Sequence, residues 1–119
     1  PEKVMSVVGR NGWTIEKILL THGHFDHMGA ASELRDRLGA DIYAFDSNVV
    51  SVGMLETGEI DGLIVQNPFA MGYLGVETAY KLINGIAIES DHLDTTTTYV
   101  SLDNMYDIDI QRMIFRFGE

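Results

Sequence analysis

Gly62-Leu63-Ile64-Val65-Gln66-Asn67-Pro68-Phe69, running on through Met71-Gly72-Tyr73-Leu74-Gly75-Val76-Glu77-Thr78-Ala79 to Ile83, decides the fold class. Leu63-Ile64-Val65 is a short apolar run of the length and β-branched content expected of a buried strand. Pro68 then stands where the first turn of a helix tolerates a residue without an N–H. The helix is expected to run to about Ile83 and to stop at Asn84-Gly85. Gly72, Gly75 and Ala79 share a face, which predicts close approach of this helix to a sheet.

The same alternation extends in both directions. Upstream, Val4, Met5 and Val8 lie at helical spacing before the Asn11-Gly12 stop, and Ile18-Leu19-Leu20 marks a strand within Thr14 to Thr21. Met28, Ala31, Leu34 and Leu38 recur every three or four residues, giving an amphipathic helix from Asp26 to Leu38 closed by Gly39. Asp41 to Phe45 is a second strand. Asp46-Ser47-Asn48 supplies cap residues for a helix carrying Val49, Val52, Met54 and Leu55 up to Gly58. Downstream, Thr95 to Ser101 is rich in β-branched residues and predicts a fourth strand, followed by a short helix from Asp109 to Phe115. Strands joined by helical crossovers predict a three-layer α/β sandwich, flavodoxin-like in kind, with a mostly parallel sheet of about four strands. So small a sheet has exposed edges, and a homo-oligomer is one way to cover them.

Bulk composition narrows the function classes. A chain of 119 residues, 45% hydrophobic, can bury one core, so residues 1–119 are expected to form a single domain. A formal net charge of −10, with no Lys/Arg-rich run, argues against nucleic acid and anionic membrane surfaces as partners. The absence of cysteine removes disulfides, thiolate metal sites and cysteine nucleophiles. No apolar run is long enough to span a bilayer and no signal-peptide pattern opens the chain, so a soluble protein is expected. Pro1 in place of a methionine suggests a trimmed or excised chain.

The most chemically specific stretch is Thr21-His22-Gly23-His24-Phe25-Asp26-His27, with three imidazoles and a carboxylate directly after a strand. Imidazole and carboxylate are ligands that suit zinc. The segment resembles the HxHxDH motif of the metallo-β-lactamase superfamily, in particular its glyoxalase II-like hydrolases. The resemblance covers roughly residues 3 to 44, including Asn11-Gly12-Trp13, Met28 to Leu34 and Gly39 to Ala44. It implies His22 and His24 on one metal, Asp26 and His27 on a second, and a metal-activated hydroxide as nucleophile. It also implies a later histidine, a bridging aspartate and a final histidine, which lie beyond the matched residues. The remaining histidine, His92 in Ser90-Asp91-His92-Leu93-Asp94, fits none of those positions and is expected in a solvated loop.

From Phe45 to the end, a second likeness takes over. Phe45 to Asn48, Gly53 to Phe69, Met71 to Ala79 and the tail through Leu102-Asp103-Asn104 are similar to the C-terminal lobe of ribose-type periplasmic sugar-binding proteins. That resemblance implies a ligand contact at Gln66, with Asn67 a weaker neighbour. A join between Asp41 and Asp46 exchanges strand for strand and keeps the hydrophobic period. The expectation is therefore a chimeric α/β domain, natural or engineered, with no assigned catalytic residue. It would lack a complete hydrolytic or sugar-binding site and retain weak or partial zinc binding at the HxHxDH segment. A zinc-dependent hydrolase using His22, His24, Asp26 and His27 is the enzymatic alternative, and a sugar-binding module through Gln66 is the third.

Overall fold

The computed structural model describes residues 1–22, 24 and 28–115. Helix α1 spans Glu2–Asn11, followed by β1 (Lys17–Leu20), α2 (Ala31–Leu38), β2 (Asp41–Phe45) and α3 (Val49–Glu56). Then come β3 (Gly62–Gln66), α4 (Pro68–Ile83), β4 (Thr97–Val100) and α5 (Ile108–Ile114). The four strands form one open sheet in the order β1-β2-β3-β4. The α/β class and the mostly parallel four-stranded sheet are as expected from sequence.

Strands β1, β2 and β3 are parallel, with Ile18 opposite Ile42, Leu20 opposite Ala44, and Ala44 opposite Leu63. The fourth strand departs from the expected parallel crossover: β4 is antiparallel to β3, with Leu63 opposite Val100 and Gln66 opposite Thr97. The reason is geometric. The chain leaves the sheet at Gln66 and returns beside it at Thr97, so the intervening segment is an out-and-back excursion.

Because side chains alternate along a strand, the register places Ile18, Leu20, Ile42, Ala44, Leu63, Val65 and Val100 on one face. Strand order also advances with sequence from β1 to β3, so right-handed crossovers bring α2 and α3 to the same side. The core lies there: Met28, Ala31, Val52, Leu55, Met105 and Ile114 join the strand residues in one buried cluster. The other face presents Leu19, Tyr43, Phe45, Ile64 and Tyr99, of which Leu19 is 75% exposed. The Tyr99 ring lies over Gly62 on that face, so a Cβ there would require the ring to swing aside.

Local chemistry sets the helix ends. The Asn48 side chain accepts from the Val50 and Ser51 amides, and Ser51 Oγ accepts from the Asn48 amide at 3.0 Å. This reciprocal cap lets Ser51 sit fully buried without an unpaired polar atom. Asn48→Ala is expected to lower stability by about 1 kcal/mol. Urea melts followed by circular dichroism check this, and an unchanged midpoint would refute the cap's contribution.

Two helices are not packed into the core. Helix α1 buries no residue and is tethered through Glu2, whose carboxylate accepts from Arg37 and is thereby held below its ordinary pKa. Helix α4 is capped by the Asn67 side chain on the Ala70 amide, yet it too buries no residue. The close approach to the sheet predicted from Gly72, Gly75 and Ala79 does not occur. The molecule is correspondingly elongated, 61 × 33 × 23 Å, with a radius of gyration of 18.7 Å. A compact chain of this length would have roughly 13–14 Å.

Candidate functional site

In open α/β sheets, ligands collect outside the carboxyl ends of the parallel strands, where loops and helix N-termini converge. Here that edge gathers His22 and His24 after β1, Asp46-Ser47-Asn48 after β2, and Gln66-Asn67 after β3.

The loop after β1 is held at both ends. Leu20 packs against the core before it, and the buried Met28 follows it, donating its amide to the His24 carbonyl at 3.0 Å. Between these anchors the His22 and His24 rings stand edge-to-face, with centroids 4.7 Å apart and planes at 79°. His22 Nδ1 lies 3.1 Å from Thr21 Oγ1. In the tautomer that donates Nδ1–H to that hydroxyl, the ring lone pair is on Nε2, the arrangement by which a neighbouring oxygen orients a metal-binding imidazole. His22 is half-buried and His24 exposed, and the imidazole nitrogens of both are donors of a chemistry that suits zinc. Asp26 and His27, the other two expected ligands, lie outside the described residues. Among the described residues no group of three or more His, Cys, Asp or Glu side chains converges on a common point.

Gln66 is half-buried at the last position of β3, on the sheet face opposite the core, and its side chain makes no hydrogen bond among the described residues. It stands two strands away from the histidine loop, about 10 Å by sheet spacing, so the two features share an edge without touching. His92 is exposed in the segment returning from α4, 3.2 Å from Asp94.

Two features escaped the sequence reading. Asp46 has a positive φ of 67°, and its carboxylate accepts from the Ser47 amide at 2.8 Å. Left-handed backbone is tolerated by aspartate because its short polar side chain bonds locally, so an Asp directly after a strand was the available signal. The second is a cleft of about 630 Å³ at the same edge, lined in part by Asn48, Val52, Glu56, Pro68 and Arg112. Only the tertiary fold brings α3 and α5 together to form it.

At the opposite, amino-terminal edge, a hydrogen bond to the Tyr43 hydroxyl raises the Lys17 ammonium, and burial raises the Tyr99 phenol. The Tyr106 phenol is raised by its hydrogen bond to Glu56. None of these groups adjoins the histidine pair.

Comparison with known proteins finds likenesses of two kinds. Residues 2–98 match the family model of the Metallo-beta-lactamase superfamily, extending well past the likeness seen in residues 3 to 44. A hydroxyacylglutathione hydrolase of Bradyrhizobium sp. (strain ORS 278) is 34% identical over 68 residues, covering 49% of this chain and 27% of the relative. Another, from Methylobacterium sp. (strain 4-46), is 44% identical over 41 residues, covering 34% of this chain and 16% of its own.

Among solved structures, a carbohydrate transporter solute-binding protein from Agrobacterium radiobacter, in complex with D-arabinose, superposes with a TM-score of 0.71 at 29% identity. It covers 95% of this chain and 38% of its own length. An ABC transporter solute-binding protein from Agrobacterium vitis, bound with α-D-tagatopyranose, gives 0.71 at 26% identity, covering 97% and 39%. The chain therefore spans about a quarter or less of these hydrolases and under two-fifths of these sugar-binding proteins.

Proposed function

Since the chain belongs to the metallo-β-lactamase superfamily, we propose that it is a single recombined α/β domain that captures a divalent metal, zinc first, at its HxHxDH segment. In this reading His22 and His24 provide the first two ligands, with Asp26 and His27 as further donors. The domain carries neither a complete hydrolytic site nor a complete sugar site. The observation that supports it is the His22–His24 pair, 4.7 Å apart on a loop anchored by Leu20 and Met28.

Zinc bound there supplies Lewis acidity. The chain's own residues do the positioning: Thr21 orients the His22 ring, and the Met28 amide fixes the His24 backbone. Two imidazoles alone hold zinc weakly, since the stable protein sites use three or four ligands. Gln66 is one polar group, whereas a sugar pocket needs several placed around a largely enclosed ligand.

Zinc titration by calorimetry, with metal content measured after desalting, tests the proposal. The expected result is at most one zinc per chain, with affinity falling at least tenfold in the His22→Ala/His24→Ala variant while its circular dichroism is unchanged. Equal zinc uptake by the variant and the unaltered chain would overturn it. Metal-dependent thioester hydrolysis that is lost in His24→Ala would instead establish an enzyme. Heat of binding with D-arabinose would restore the sugar-module reading.

A further inference from the structure

Helix α4 and the bare sheet face are two apolar surfaces without partners among the described residues. Along α4, Phe69, Tyr73, Val76, Tyr80 and Ile83 recur at alternating four- and three-residue steps, which at 3.6 residues per turn places them in one stripe. All five are between 62% and 85% exposed. The opposite side of the helix is occupied: Met71, Leu74, Gly75 and Thr78 line a shared cleft with Leu93 and Thr95 of the returning segment. The second surface is the sheet face of Leu19, Tyr43, Phe45, Ile64 and Tyr99, which receives no helix because α2, α3 and α5 all join the core on the other side.

The stripe cannot easily cover the sheet that it leaves. Only Asn67 separates Gln66 at the end of β3 from Pro68 at the start of α4, and the Asn67 side chain is committed to the Ala70 amide at 3.0 Å. Strand-to-helix loops that fold a helix back over its own strand commonly use 2–6 residues. Helix α4 thus extends the excursion outward, consistent with the 61 Å long axis.

We propose that a second copy of this chain is the partner, each α4 stripe lying across the bare sheet face of the other copy. Three observations favour a second copy over an unrelated protein. Both halves of the contact are present in one chain, so twofold symmetry satisfies both at once. The net charge of −10 would oppose self-association, but α4 carries only Glu77 and Lys81, paired at 3.2 Å, and the sheet face carries the Lys17–Asp41 pair. Neither surface adds net charge to the contact. The area is also sufficient. A 16-residue helix, about 24 Å long, removes on the order of 400 Å² from itself and as much from the sheet. Two reciprocal seats therefore reach roughly 1,600 Å², the size of a standard stable interface.

The absence of cysteine gives a direct test on the full chain. Two single variants, Val76→Cys on the stripe and Leu19→Cys on the sheet, are mixed and treated with a short bifunctional thiol cross-linker. The expected product is a covalent heterodimer of the two variants, with little linkage within either variant alone. In sedimentation equilibrium the unaltered chain is expected to be dimeric. Val76→Glu/Tyr80→Glu and, separately, Leu19→Glu are expected to raise the dissociation constant at least 100-fold, because each removes burial worth a few kcal/mol. These positions are exposed in the single chain, so retained circular dichroism is expected. A monomer at micromolar concentration would overturn the proposal. So would cross-linking within the Val76→Cys/Leu19→Cys double variant without dimer, which places α4 on its own sheet. Val76→Cys linking mainly to itself would overturn the reciprocal seat.

Discussion

Leu63→Ala is expected to destabilise the fold by about 3 kcal/mol, the middle of the range for removing a fully buried leucine side chain. Leu63 has no exposed surface and sits on β3, flanked in register by Ala44 and Val100. The residues packing over that face come from three helices and from Met28, Ile60 and Met105, so a cavity there is shared by several elements that cannot all move inward. The core is also small for the chain: with α1 and α4 burying nothing, one cluster beneath the sheet supplies the hydrophobic stabilisation. Domains of this size usually have only about 5–15 kcal/mol in total, so a loss of this order leaves little reserve. Urea unfolding of Leu63→Ala should show its midpoint lowered by more than 1 M, given a slope of about 1–3 kcal/mol per molar. Val49→Ala, at a residue 76% exposed, should stay within about 0.5 kcal/mol of the unaltered chain. Equal midpoints for the two variants would mean that the sheet face beneath α2, α3 and α5 is not the structural core.

The parts of the fold legible in the sequence are those in which local chemistry and burial agree. Gly62–Gln66 is a strand because its apolar run is buried, and Val49–Glu56 begins at Asn48 because the cap chemistry is local. The direction of β4 was not legible. Thr97–Val100 has the β-branched content of a strand in either orientation, and its pairing is fixed by where the excursion returns to Gln66. The coverage of the sheet was also hidden. Helix α4 has small residues on one side and Phe69, Tyr73, Val76, Tyr80 and Ile83 on another, so an almost wholly apolar helix gives no single preferred face. The strand order β1-β2-β3-β4 then determines that the crossover helices share one side, and sequence spacing cannot supply that order. For the site, His22 and His24 were visible through their chemistry. The positive φ of Asp46 had a local signal in an aspartate directly after a strand, whereas the cleft reaching Arg112 arises from tertiary placement.

Asp61→Ala is expected to cost about 2 kcal/mol, a large effect for a half-buried polar residue, because one carboxylate ties α2 and β2 to the loop before β3. Its Oδ2 accepts from the Ile42 amide at 2.8 Å, and its Oδ1 accepts from the Arg35 guanidinium at 3.3 Å. Arg35 also donates to the Gly58 carbonyl at 2.6 Å, while the Asp61 backbone donates to Ile42 and accepts from the Tyr99 hydroxyl. Both charged side chains are 31% exposed, so solvent screens part of their attraction. The larger loss comes from the Ile42 amide, left without its acceptor beside a fully buried side chain. Asp61→Asn keeps an acceptor for that amide and should cost less than half as much. A double-mutant cycle with Arg35→Ala separates the guanidinium contribution, expected to be under 1 kcal/mol, from that of the amide. Urea midpoints supply all four values. If Asp61→Ala and Asp61→Asn unfold together, the Ile42 hydrogen bond is not the dominant contribution. If neither differs from the unaltered chain, α2, β2 and the loop before β3 are held together by apolar packing alone.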